Sequence, residues 1–168
     1  KILSICTDDA SENRVAKEIL ELRFPGIVFN KCQAHQLHLM AKNAIKAAKL
    51  DSVPKDCSYL SRFYSKNGKF RKLFQATCKK LYGKVLALIR VGETRWNSHF
   101  DCCFRILRLY TAVEETCSVY VNSEDFKKLR MKADTKKELK VKLLRFSADF
   151  RKRIVEVCQI LEELKNMN

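Results

Sequence analysis

The chain has 168 residues, 46% of them hydrophobic, which is about one domain's length with enough apolar surface for a core. Only four Gly and two Pro leave little turn chemistry, so helices joined by short connections are favoured over an all-β sandwich. The net charge is +15, and no run approaches the about eighteen apolar residues that a membrane-spanning helix requires.

In chain order, residues 1–7 form a short apolar run that ends at Thr7-Asp8-Asp9 and reads as a strand. From Ser11 a helical period follows, with Val15, Ile19 and Leu22 on one face and Glu12 in the first turn, where an acid suits the helix dipole. Pro25-Gly26 stops it, and Ile27-Val28-Phe29 reads as a second strand. A helix is expected from Gln33 to about Leu50, with Leu37, Met40, Ala41, Ala44, Ile45 and Ala48 as its buried stripe. Strand–helix–strand–helix predicts parallel pairing with a right-handed crossover.

After Asp51 the texture changes. Phe63, Phe70, Phe74, Tyr59, Tyr64 and Tyr82 stand among Lys and Arg, as expected of two short helices broken at Asn67-Gly68. Val85 to Ile89 is a brief apolar run of either type. A long helix is expected near Arg95, carrying Trp96, Phe100, Cys103, Leu107 and Tyr110 at helical spacing. A polar stretch over Asn122 to Thr135 precedes one last helix, with Leu139, Leu143, Phe146, Phe150, Ile154, Val157, Leu161 and Leu164 on one face. The fold class is thus α/β to mostly α: an α/β segment over 1–50, then a basic, mainly helical region over 51–168.

The charge is uneven. Residues 1–41 are neutral overall; residues 42–105 hold fifteen basic against four acidic side chains, and residues 106–168 hold fourteen against ten. A polyanion suits the middle segment, because each neutralised phosphate releases condensed counterions; a solvated lysine-rich surface is the other reading. Eight Cys at irregular spacing, with Cys102-Cys103 adjacent, suit reduced thiols and an intracellular protein better than a disulfide framework. The chain opens on Lys1-Ile2-Leu3-Ser4-Ile5-Cys6, a strand with no initiator Met or signal peptide, and is expected to be a piece of a longer protein.

Three groups of residues carry chemistry. Asp8 and Asp9 follow a strand, where a carboxylate is placed to hold a divalent cation; the alternative is a turn or helix-cap acid. Cys32, His35 and His38 stand at i, i+3 and i+6, so three zinc ligands could converge, with His99 and Cys102-Cys103 as the only conceivable complement. No second Cys/His pair follows at finger spacing, and no third group orients a Cys-His dyad; a buried thiol and a hydrogen-bonded histidine are the plain alternative. Arg95-Trp96 offers a fork for phosphate and a face for a base, although Trp96 also leads an apolar helical stripe.

Thr7-Asp8-Asp9-Ala10-Ser11-Glu12-Asn13 resembles the "T-D-N-A-S-x-N" strand end of hAT-superfamily transposases and of proteins domesticated from them. Cys32-Gln33-Ala34-His35-Gln36-Leu37-His38-Leu39 is similar to that superfamily's "C-x-A-H-x-L-N-L" helix start, and Glu93-Thr94-Arg95-Trp96-Asn97-Ser98 to its "E-T-R-W-N-S" block. The resemblance covers residues 3 to 115, and the nearest subgroup is a domain of unknown function in transposase-like proteins. It implies a ribonuclease-H-like core interrupted by a helical insertion, in which three carboxylates hold two ions, Mg or Mn, for phosphodiester chemistry. Asp8 matches the second carboxylate; the first would lie upstream of Lys1 and the third after Asn168. Cys32 and His35 match a pair lining the active-site region, and Arg95 and Trp96 a pair that handles DNA near the cut. Asp9 stands where the family has Asn. The resemblance thus implies a nuclear DNA-binding protein, able to homo-oligomerise through a region beyond this chain, with metal-dependent strand transfer only at full length. A non-catalytic DNA- or protein-binding module, or a zinc-stabilised helical domain, are the alternatives.

Overall fold

Two short strands and the helix between them make the only sheet among the described residues, which in this computed structural model are 4–8, 10–92 and 96–166. The side chains of 96, 97, 165 and 166 lie outside that description. β1 (Ser4–Thr7) pairs in parallel with β2 (Val28–Lys31), in a register that sets Ser4 opposite Val28 and Thr7 opposite Lys31. The Cys32 N–H donates to the Thr7 carbonyl at 2.9 Å and carries the pairing one residue further. Parallel strands need a crossover, supplied by α1 (Ser11–Arg23), with Glu12 in its first turn and Arg23 in its last. The Phe24 N–H closes it on the Leu20 carbonyl, before the turn at Pro25-Gly26.

The expected apolar face of α1 exists but is uncovered. No residue of α1 is buried, and Val15, Ile19 and Leu22 are 56%, 51% and 86% exposed. In α2 (Gln33–Ala47), Ala41 and Ile45 are buried as the stripe requires, whereas Met40 and, just past the helix end, Ala48 are exposed. α2 also stops short of Leu50. Lys49 turns left-handed (φ 56°), so its N–H reaches the Lys46 carbonyl while the Leu50 N–H reaches that of Ile45. This is a Schellman ending with lysine in the place that glycine usually takes.

The chain divides into two compact units, Lys1–Asn43 and Ala44–Asn168. The second is helical throughout its regular structure: α3 (Ser52–Lys66), α4 (Gly68–Tyr82), α5 (Trp96–Arg108), α6 (Tyr110–Val121), α7 (Glu124–Lys127), α8 (Ala133–Leu144) and α9 (Ala148–Asn166). α4 packs on α6, α3 on α5, α5 on α9 and α6 on α8. The α3–α4 break falls at Asn67, as its sequence predicts. Asn67 leaves helical geometry (φ −108°, ψ 100°), and its side-chain oxygen accepts from the Phe70 N–H at 2.9 Å. Its amide nitrogen donates to the Tyr120 hydroxyl at 2.7 Å. Around that bond Phe63, Phe70, Tyr120 and Phe126 meet edge to face, with ring centroids 5.1 to 5.9 Å apart.

Three expectations need correction. The helix entered near Arg95 ends at Arg108, and a new one starts at Tyr110 after Leu109 leaves helical geometry. The single last helix is two, α8 and α9, although its whole stripe from Leu139 to Leu164 is buried. The break is held by the Tyr110 hydroxyl, which donates to the Ser147 carbonyl at 2.6 Å. The polar stretch after Asn122 contains α7, capped where the Phe126 N–H donates to Ser123 Oγ. Val85 to Ile89 takes no regular form, and Leu88 is buried.

Two stability measurements check this account. Asn67→Ala removes a cap and leaves the Tyr120 hydroxyl without its donor, so unfolding free energy should fall by about 2–3 kcal/mol at unchanged urea slope. Asn67→Ser, which keeps the cap alone, should lose about half of that; an unchanged midpoint in both would remove Asn67 from its place in the fold. Lys49→Gly relieves a left-handed lysine and should raise stability by about 1 kcal/mol.

Candidate functional site

The parallel register decides what stands at the carboxyl end of the sheet. Asp8 follows β1 and Cys32 follows β2, so both emerge at one edge, with His35 one turn into α2. The carbonyl of Cys32 accepts from the N–H groups of His35 and Gln36, both at 3.1 Å, and so starts the helix. The rings of His35 and His38 stack with centroids 6.4 Å apart. The structure thus gathers Asp8, Cys32 and His35 from separate parts of the sequence.

Asp8 is engaged as a turn residue. Its Oδ1 accepts from Asn13 Nδ2 at 2.5 Å and from the Ala10 N–H at 3.2 Å. The Asn13 amide in the first place, then the Ala10 N–H, hold its carboxyl below the usual 3.8, and the charge of His35 acts in the same direction. Beside it opens a concavity of about 350 Å³, lined among others by Asn13, Arg14, Lys17, Phe29 and Lys31. Arg14, Lys17 and Lys31 there face the carboxylates of Asp8, Glu18 and Glu21, so its walls carry no field of one sign.

The resemblance implies divalent ions at Asp8. A hard cation needs several oxygen ligands, Mg near-octahedral ones. Asp8 offers a single carboxylate, one oxygen of which already takes two N–H donors. Among the described residues no three of His, Cys, Asp or Glu are grouped to hold a metal, so neither Asp8 nor the trio Cys32, His35 and His38 makes a centre by itself.

Asp9, Glu93, Thr94 and Arg95 lie outside the described residues. Trp96 is the first residue of α5, and its side chain also lies outside them. The approach to that block is well defined. The Ser61 hydroxyl, on buried Ser61, donates to the Ile89 carbonyl at 2.5 Å, and the Ser98 hydroxyl donates to that of Gly92 at 2.9 Å. The pinned segment faces α3 across a groove of about 230 Å³ lined by Ser58, Arg62, Lys66, Arg90 and Val91. Sequence reasoning marked this region as basic without singling out these residues. The four-residue spacing of Ser58, Arg62 and Lys66 was a visible signal for one helix face; Arg90 joins them only through tertiary structure.

All eight cysteines are free thiols. Cys57 is held protonated by its hydrogen bond with Cys103 and by burial, and burial first of all pushes Cys102 and Cys158 up to about 12.

Two measurements follow. Asn13→Ala should move the Asp8 carboxyl titration upward toward 3.8, read by carboxyl carbon NMR. Because the folded value is depressed, Asp8 adds stability above pH 3.8 and loses it as pH falls through the lower folded value; an unmoved titration would mean the Asn13 contact is not made in solution. With an alkylating reagent at neutral pH, exposed Cys6 and half-buried Cys32 should label in the native protein, and the six buried cysteines only on unfolding.

No family model, curated protein or solved structure matches the chain, so its function is read from its own residues.

Proposed function

We propose that this chain is a DNA-binding part of a hAT-like transposase or of a derivative domesticated from one. It supplies one carboxylate of a ribonuclease-H-like core and a basic helical region that lies along DNA, and it does not cut DNA alone. The observation that carries the reading is the sheet edge. A parallel strand pair sets an aspartate beside a Cys-x-x-His helix start, in the order in which the family's motifs run.

Two further features support it. A two-stranded parallel sheet with α1's apolar face exposed suits a portion of a larger sheet, because parallel sheets are ordinarily covered on both faces. The excess of eleven positive charges over residues 42–105 suits a polyanion. In the full protein, carboxylates from outside these residues would complete the Mg or Mn site with Asp8, and such a protein would act in the nucleus. A purely DNA-binding derivative would keep the same surfaces without the other carboxylates.

The test is salt-dependent binding to a hairpin or branched DNA, with matched duplex and polyglutamate as controls. Preference for the branched DNA with a steep salt slope is expected. Trp96→Ala should weaken that binding by about 1–3 kcal/mol, the value of one stacked base. Equal affinity for DNA and polyglutamate would sink the reading, and unfolding of Trp96→Ala with unchanged affinity in the folded fraction would assign Trp96 to the core.

A further inference from the structure

We infer that the groove between α3 and the segment 85–92 is a phosphodiester-binding site that seats the backbone of one nucleic-acid strand. This rests on the DNA reading above and assigns residues to it. Ser58, Arg62 and Lys66 stand at successive four-residue steps of α3, a hydroxyl and two cations about 6 Å apart along the axis. Donors in a row suit consecutive phosphates of a strand better than a single small anion. Arg90 closes the opposite wall with a planar fork that matches phosphate oxygens in pairs.

The wall that carries Arg90 is built in advance. The Ile89 carbonyl is held by buried Ser61, Leu88 is buried, and the Gly92 carbonyl is held by Ser98. A cation on so constrained a backbone loses less freedom on binding than one on a loose loop. The charge of the groove is also left open. Among the described residues Arg62, Lys66 and Arg90 pair with no carboxylate, as do Lys72, Lys79 and Lys84, so it is their convergence on one groove that sets them apart. Among the described residues Val91 is the only apolar one in the lining, which does not suit an apolar ligand.

The experiment compares the chain with two triple variants of equal charge loss. One is Arg62→Gln/Lys66→Gln/Arg90→Gln; the other is Lys72→Gln/Lys79→Gln/Lys84→Gln, at exposed positions away from the groove lining. All six side chains are exposed, and matching thermal midpoints verify that both variants fold. For single-stranded DNA the groove variant should flatten the slope of log affinity against log salt by about 2, since each lost contact removes about 0.7. Its affinity at low salt should fall at least about tenfold, and that of the control variant less than about threefold. Equal effects in both variants would overturn the groove and leave a diffuse basic surface.

Titration with inorganic tripolyphosphate separates the groove from the DNA reading. Amide shifts gathered at Ser58, Arg62, Lys66 and Arg90, lost in the groove variant alone, support the site even if wild-type binding to DNA does not exceed that to polyglutamate. Shifts spread over the whole basic surface, or surviving in the groove variant, overturn it even if DNA binding stands.

Discussion

The helical unit depends on one side chain bonded in two directions. Asn67 ends the approach of α3, caps α4 through Phe70 and donates to Tyr120 of α6. A helix N-terminus presents N–H groups without intrahelical partners, and Tyr120 buries a hydroxyl that needs one. A single residue satisfies both, which sets the angle at which α3 and α4 part and brings Tyr120 among Phe63 and Phe70. The aromatic contacts then hold α6 and α7 to the same centre. An apolar residue at position 67 would leave both needs unmet within one buried cluster, and losses of that kind couple rather than add.

From that arrangement the basic groove follows. α3 buries Val53, Cys57, Leu60, Ser61 and Tyr64, so Ser58, Arg62 and Lys66 remain free to line a wall. Ser61, beside Arg62 in the same helix, fastens the segment that bears Arg90. The buried thiols contribute packing to this unit and little reactivity, because desolvation keeps Cys102, Cys117 and Cys158 protonated. A partner for so basic a surface must bring its own negative charge.

In the first unit the chemistry rests on the opposite kind of economy, with almost nothing buried. Four paired residues in each strand align Asp8 with Cys32, and a shift of one step would place a different pair of residues at the edge. The hydrogen bonds of Asn13 and Ala10 keep Asp8 ionised and oriented, whatever it serves. The same unit exposes Val15, Ile19, Leu22, Phe24 and Val28, a surface more typical of an internal layer than of a free face.

The local signals in the amino-acid sequence determined the order of strands and helices up to Tyr82, the breaks at Pro25-Gly26 and Asn67-Gly68, and the buried register from Leu139 to Leu164, because caps, turn residues and apolar period act over a few residues. They also placed Asp8, Cys32 and His35 at strand and helix ends. Only tertiary structure decided that α1's apolar face stays uncovered and that the last stripe bends at Ser147 under the Tyr110 hydroxyl. Arg90 reaches Arg62 and Lys66 for the same reason: a hydrogen bond between residues 28 apart, Ser61 to Ile89, has no trace in local periodicity. Period and capping are properties of neighbours along the chain, whereas burial and convergence are properties of what the folded chain brings alongside.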